Sequence, residues 1–315
     1  MERRLNYRIC STMIAMITVT YNDWYKFKEW CQWYEEYKDD VDLHIIVDNG
    51  SEPNYLSQVK SYFTNSIIIE RPENGGSTAA YNSGLKVAMG NPDVDAIMFL
   101  GNDIRLAKGC IPYLYKYLYS DESLGMVAPV LLKKNTNIIE HAGCFVRDIG
   151  VYKGIVRRAR GMNLCQFSER QSYVDYVGGG ISLSKRVFYE TVGEQDETLF
   201  MYGDELDMFY RSKKLGWRQG VTVDAIAWHQ HIEAPLTHDP LRLRTQYLQA
   251  RNHWYINNKN FSRLHADWYA FIELSVRFLA RLRNGKVCLT ESWKGIMDAR
   301  AGRMLNSSLW FITDK

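Results

Sequence analysis

The 315-residue chain predicts an α/β fold: a mostly parallel sheet flanked by helices, followed by a C-terminal helical extension. Short apolar, β-rich runs recur through the first third, as buried strands require. Stretches with helical spacing lie between them, and this alternation argues for a parallel sheet covered on both faces. Three of the first four runs also stop at polar residues, at the strand ends where such sheets bind ligands.

The elements follow in order. "MIAMITVTYN" reads as a first strand, and in "DWYKFKEWCQWYEEY" helical spacing puts Trp24, Phe27, Cys31 and Tyr34 on one face. "LHIIVDNGS" is a second strand, residues 55–63 a weaker helix, and "SIIIE" a third strand. "NGGSTAAYNSGLKVAM" begins with glycine-rich turn chemistry and becomes a helix, and "VDAIMFLGND" is a fourth strand. The middle, residues 104–177, is less periodic. It offers a helix near 112–119, a strand near 126–132 and an arginine-rich segment, "YKGIVRRARG", that reads as a mobile loop. "VDYVGGGISLSKRVFYETVG" places three glycines before a strand and a helix, and "MYGDELDMFYRSKKLGW" starts a helix with acids, where the dipole favours them. From about residue 239 the pattern is helical.

Composition narrows the class. Hydrophobic residues make up 46% and charged residues 24%, the range of an ordinary globular protein. A net charge of +3 is too small to argue for nucleic acid. Six cysteines without CxxC pairs favour reduced cytosolic thiols over zinc or a disulfide framework. "MERRLNYRICSTMIAMITV" opens like a weak signal peptide, but its apolar part is short and holds Ser11 and Thr12, so a buried first strand is expected. No apolar run approaches the ~18 residues of a membrane span.

Several residues could carry chemistry. Asp48, just after a strand, can accept a hydrogen bond from a base or ribose, and "NGGSTAAYNSG" offers a close backbone approach and a helix N-terminus suited to phosphate. Asp103 in "FLGNDI" is adequate for Mg²⁺ or Mn²⁺ if a diphosphate and one further ligand complete the site. His229 and His231 in "WHQH" are candidates for that ligand, although spacing alone reads as a polar turn. In "GDELD", Asp204 and Asp207 are neighbours at helical spacing and Glu205 points elsewhere, a pattern open to capping or to a general base.

Taken in order, "ITVTYN", "IIVDNGS", "ENGGSTAAYNSGL", "FLGND", the Gly178-to-Arg211 stretch and "WHQH" resemble family-2 glycosyltransferases, nearest the rhamnosyltransferase and galactofuranosyltransferase-like branch. The resemblance covers about residues 14–232. It implies a GT-A fold, a nucleotide-sugar donor such as a UDP- or dTDP-sugar, Mn²⁺ or Mg²⁺, and inversion at the anomeric carbon. The acceptor would be a saccharide or lipid-linked saccharide in bacterial O-antigen or capsule synthesis. The catalytic domain would span 1–240, with a nucleotide half at about 13–104 and an acceptor half at about 105–240, before a helical region at 241–315.

By the same resemblance, Thr20, Tyr21 and Asn22 follow the first strand and line the nucleoside, and Asp48 contacts the base beside Asn49. Asn74, Gly75 and Asn82 fall beside ribose and diphosphate. Asn102 and Asp103 fall on the D-x-D-like motif, with Asp103 and His229 as metal ligands. Gly178, Gly179 and Asp207 fall on the acceptor side. Glu205 falls on the catalytic base, with Asp204 as the alternative. Two departures stand out: Gly101 replaces the first acid of the D-x-D-like motif, and the usual Glu-Asp order is Asp204-Glu205. A catalytically inactive nucleotide-sugar-binding subunit is the alternative that Gly101 favours. A sugar nucleotidylyltransferase would want a Gly-rich, Arg-containing loop where "TYNDWYK" stands.

In the C-terminal region Leu264, Trp268, Phe271, Ile272, Phe278, Leu279 and Leu282 share a helical stripe bordered by Arg263, Arg277, Arg281, Arg283 and Lys286. The stripe would pack on the catalytic domain, pack on a second subunit of a homo-oligomer, or lie on the cytoplasmic membrane face. "ESWKGIMDARAGRM" also resembles the end of rhamnosyltransferase-like proteins.

Overall fold

Helices and parallel strands alternate through the first third of the protein, whose computed structural model describes residues 13–149, 152–230, 240–284 and 289–304. The elements are β1 (Met13–Thr20), α1 (Trp24–Tyr37), β2 (Leu43–Asp48), α2 (Pro53–Tyr62), β3 (Ile67–Glu70), α3 (Gly76–Gly90) and β4 (Val94–Leu100). β1 lies between β2 and β4, β2 pairs with β3, and all three pairings are parallel. β1, β2 and β4 are buried almost throughout, which is why they read as apolar runs rather than alternations. Thr20 stands opposite Asp48 in register. The polar ends of β1 and β2 therefore share an edge with residues 101–103 after β4.

The second part comprises β5 (Ile104–Leu106), α4 (Cys110–Leu118), β6 (Leu124–Lys133), β7 (Ile139–His141), β8 (Cys144–Ile149), β9 (Tyr152–Arg157), β10 (Gln171–Val174), β11 (Ile181–Lys185), α5 (Arg186–Val192), α6 (Asp204–Lys214) and β12 (Arg218–His229). The sheet order is β10-β12-β6-β11-β4-β1-β2-β3. β11 runs antiparallel between β4 and β6, whereas β12 is parallel to β6. The parallel first part of the sheet thus passes into a mixed second part. Because β11 is antiparallel to β4, its glycine-rich approach meets the end of β4, where Gly101 N donates to Gly180 O at 2.8 Å.

Two local expectations are corrected. "YKGIVRRARG", expected as a mobile loop, forms β9 in an antiparallel ribbon with β8, pairing Val146 with Ile155 and Phe145 with Val156. Its arginine content hid the strand, but Arg158, just past the strand's end, is ion-paired with Glu169 and lies over the rings of Phe145 and Phe167. The buried residues of α1 are Trp30, Cys31, Trp33 and Tyr37, and Trp24 is exposed. The helix straddles two core clusters, one around Tyr55 and Phe63 and the other around Leu114 and Tyr117.

α7 (Pro240–Asn260), α8 (Arg263–Asn284) and α9 (Leu289–Arg300) follow. Among the described residues, no helix is long and apolar enough to cross a membrane. Residues 1–12, His231 and Lys286, which figure in the sequence expectations, lie outside the described residues.

Candidate active site

The short β5 pairs antiparallel with the end of β12, setting Ile104 opposite His229, and Gln230 N donates to Asp103 O at 2.8 Å. This fold-back brings His229 Nε2 to 3.4 Å from Asp103 Oδ2. β7, paired with β6, presents Glu140, whose Oε2 holds His229 Nδ1 at 3.0 Å. Lys26 Nζ stands 3.4 Å from Asp103 Oδ2 and 3.8 Å from Asp23 Oδ2. Burial opposes ionisation of Asp103, yet the His229 hydrogen bond and the His229 and Lys26 charges hold its carboxyl down at about 2. Burial likewise disfavours the imidazolium, but Asp103 and Glu140 together raise His229 to about 9.

A carboxylate beside an imidazole whose other nitrogen is fixed by a second acid is suitable chemistry for a divalent ion. Among the described residues no group of three or more His, Cys, Asp and Glu side chains is arranged to hold a metal. Asp103 and His229 therefore fit an ion only as a pair completed by ligands from outside the protein, such as phosphate oxygens. Gly101 suits this arrangement, because a Cβ there would stand 2.9 Å from Asp103 Oδ1. A side chain at 101 would crowd the carboxylate from its present position.

At the ends of β1 and β2 the loops are tied together. Asn22, left-handed at φ 47°, donates its N–H to Ser51 Oγ and accepts from Glu52 N through Oδ1. Thr20 Oγ1 is hydrogen-bonded to the Tyr55 hydroxyl, and Asn102 Nδ2 reaches Thr20 Oγ1 at 3.4 Å and Asp23 Oδ2 at 3.3 Å. Tyr21 is exposed. Asp48 is 1% exposed; its Oδ2 accepts from Ser51 N at 3.0 Å, whereas buried Oδ1 has no partner among the described residues. A buried carboxylate oxygen left without a donor is costly, so it marks a place for an N–H or O–H from a ligand.

The start of α3 is tied to the protein around it. Gly75 N donates to Asn49 Oδ1, Gly76 N to Asn74 Oδ1, and both Thr78 N and Thr78 Oγ1 to Phe200 O. Gly76, at φ 83°, would drive a Cβ to 2.0 Å from Phe200 O, so only glycine permits this approach. Three N–H groups at this helix start, those of Gly75, Gly76 and Thr78, thus meet protein acceptors. Asn82, expected beside ribose and diphosphate, is also buried in protein contacts: its amide bonds the main chain of Gln195 in both directions and Glu197 Oε1.

Asp204 and Glu205 open α6 and line a pocket with Gly178, Gln195, Tyr81 and Tyr189. Helical spacing had paired Asp204 with Asp207. Burial first, then the Glu205 charge and, less, that of Asp207, pushes the Asp204 carboxyl well above its usual range. Gln195 Nε2 also contacts Asp204 Oδ2 at 3.3 Å. A Cβ on Gly178 would lie 3.4 Å from Glu205 Oε1, and on Gly179, at φ 93°, 2.7 Å from His141 Nε2. Tyr81 is stacked on Phe99, and burial first, then the charges of Asp103, Asp204 and Glu205, pushes its hydroxyl up.

Asp207, expected on the acceptor side, is fully buried between Arg211 Nε at 2.8 Å and Lys259 Nζ at 2.8 Å. It is a clasp between α6 and α7, because a buried carboxylate needs paired cations. Asn252 Nδ2 bonds the carbonyls of Leu199, Met201 and Tyr202, and Arg251 Nη2 bonds Leu199 O at 2.9 Å. α7 thereby grips the loop leading into Asp204, in which Phe200 and Tyr202 have positive φ. Sequence reasoning missed Asp23, Lys26, Tyr81, Glu140, Gln195 and Asn252. The three-residue spacing of Asp23 and Lys26 after β1 was a usable signal; Glu140, Gln195 and Asn252 had none.

The model of glycosyl transferase family 2 matches residues 17–191, more than half of the chain. The chain belongs to that family. This family-2 glycosyltransferase is 21% identical over 227 residues to the low-salt glycan biosynthesis hexosyltransferase Agl10 of Haloferax volcanii, covering 70% of this chain and 68% of Agl10. Among solved structures it is similar to GalNAc-T7 with UDP, GalNAc and Mn²⁺, at TM-score 0.62 and 13% identity, covering 96% of this chain and 56% of that one. It is also similar to the mannosyltransferase PcManGT of Pyrobaculum calidifontis with GDP-Man and Mn²⁺, at TM-score 0.54 and 14% identity, covering 96% and 87%. The fold is GT-A, and the protein is a glycosyltransferase.

Proposed function

We propose that the enzyme is inverting and divalent-metal-dependent, and that it moves a sugar from a UDP- or dTDP-linked donor to a saccharide or lipid-linked saccharide. The meeting of Asp103 with His229, on the sheet edge that carries Asp48, is the observation that supports this reading. The partnerless Asp48 Oδ1 would accept the N3–H of uracil or thymine. Tyr21, exposed at the same edge, offers a ring for the nucleoside. Asp103 and His229 would hold Mn²⁺ or Mg²⁺, which when bound neutralises charge on the leaving diphosphate. The bacterial O-antigen or capsule setting, and the rhamnosyl- or galactofuranosyl-like branch, follow from the motif resemblance.

Glu205 is the base. It takes the proton of an acceptor hydroxyl as that oxygen bonds to the anomeric carbon, while the nucleoside diphosphate leaves from the opposite face with the electron pair. Asp204, whose carboxyl is pushed up by burial and by the neighbouring Glu205 charge, holds its own proton beside the base. General-base assistance of this kind is worth about 10²–10⁴-fold.

Calorimetry with UDP-, dTDP- and GDP-sugars, each with Mn²⁺ or with chelator, tests the donor side. Metal-dependent binding of a uridine or thymidine donor, weakened in Asp48→Ala, is expected. Binding of GDP-sugars alone, or donor binding indifferent to chelator, would refute the assignment.

A further inference from the structure

The buried and exposed sides of α8 are inverted relative to a core helix. Leu264, Trp268, Phe271, Phe278, Leu279 and Leu282 are each at least 50% exposed. At 3.6 residues per turn they fall within about a 100° sector, along roughly 27 Å of helix. The opposite side, with Ala266, Tyr269 and Ala270, is buried, and its alanines pack on Trp254 of α7 and Ile296 of α9. The helix has spent its small residues on the protein and turned its large apolar ones outward. On α9, Trp293 and Met297 are exposed as well. Contiguous exposed apolar surface of this kind marks an interaction face.

The charges beside the stripe select the occupant. Glu273 is ion-paired with Arg277 at 2.7 Å, and Asp267 is taken by Trp254 Nε1 and Arg300. Arg263, Arg281 and Arg283 are exposed and, among the described residues, have no acidic partner. The uncompensated charge bordering the stripe is therefore cationic. Two copies of this face would set arginines against arginines. An anionic bilayer offers opposite charge to the guanidinium groups and an acyl boundary to the stripe, and an exposed Trp suits that boundary.

We propose that α8 docks the enzyme on the surface of an anionic lipid bilayer, lying in the interface with Leu264, Trp268, Phe271 and Leu282 inserted. This goes beyond the transfer chemistry and depends on none of it. Its consequence would be to bring the acceptor pocket to a lipid-linked saccharide.

Co-sedimentation of the full chain with phosphatidylglycerol-containing vesicles, against pure phosphatidylcholine vesicles and without donor or acceptor, is the test. Binding to the anionic vesicles is expected, lost in Phe271→Ser/Leu282→Ser and weakened roughly tenfold or more in Arg281→Glu/Arg283→Glu. Both variants lie on the exposed face and should melt like the parent. The second alters charge alone, so a folding defect in the first leaves the proposal testable. Absence of binding by the parent, or equal binding by both variants, would overturn it. So would a dimer in sedimentation equilibrium that the Ser variant converts to monomer, which would make the stripe an interface between copies. Because vesicle binding is read without turnover, its failure and failure of the transfer reading are distinguishable.

Discussion

His229 Nε2 stands 3.4 Å from Asp103 Oδ2 because the β5–β12 ladder folds one residue onto the other, while Glu140 fixes the opposite ring nitrogen at 3.0 Å. Loss of such an orienting acid typically lowers metal affinity by about 10–100-fold. Glu140→Gln should therefore shift the Mn²⁺ activation curve by that factor with turnover at saturating Mn²⁺ largely retained. His229→Ala should lose the Mn²⁺ response altogether. Titration of Mn²⁺ in a donor-turnover assay checks both.

The two acids at the start of α6 should respond differently. Asp204 is held in its protonated form by burial and by Glu205, so its amide mimics the resident species. Asp204→Asn should keep activity within about tenfold, whereas Glu205→Gln should lose about 10²–10⁴-fold in kcat. Equal losses in single-turnover measurements would move the base to Asp204.

Asn252 connects the C-terminal helices to the loop before Asp204. Its amide bonds three carbonyls in the loop that ends at Asp204. Asn252→Ala leaves these acceptors unmet and should cost roughly 1–3 kcal/mol of stability. A merely structural role would lower Tm alone. The positioning role expects kcat, measured well below Tm, to fall with KM for the donor unchanged.

Stability should fall on acidification through His44. The ring is buried, bonded to Ser66 Oγ and stacked on Tyr34, and burial pushes it down to about 3. The unfolded chain takes up the proton below about 6.5 and the folded one does not until near 3. This contribution is therefore complete above about pH 6.5 and declines as pH falls towards 3, by about 2 kcal/mol between pH 7.5 and 5. Urea denaturation at the two pH values should show the slope, and His44→Asn should remove that share of it.

Local pattern was enough for much of the architecture. Continuous apolar runs in β1, β2 and β4 announced strands buried on both faces, and their polar ends at Thr20, Asp48 and Asp103 announced the functional edge, because both signals depend only on neighbours in the chain. The ordered motifs carried the family for the same reason. β9 was obscured because Arg158 finds its aromatic partners in other segments.

Which residues meet was decided by the tertiary structure. Glu140 behind His229, the closed start of α3 under Phe200, the clasp of Asp207 by Lys259 and the grip of Asn252 all join distant segments. Burial then set their chemistry, pairing Asp204 with Glu205 and leaving Asp48 Oδ1 without a donor among the described residues. The motif at "FLGNDI" named Asp103 as a candidate ligand. Only the fold showed that Gly101 leaves room for its carboxylate and that β12 returns to it with a histidine, because desolvation and long-range pairing do not exist until the chain has closed on itself.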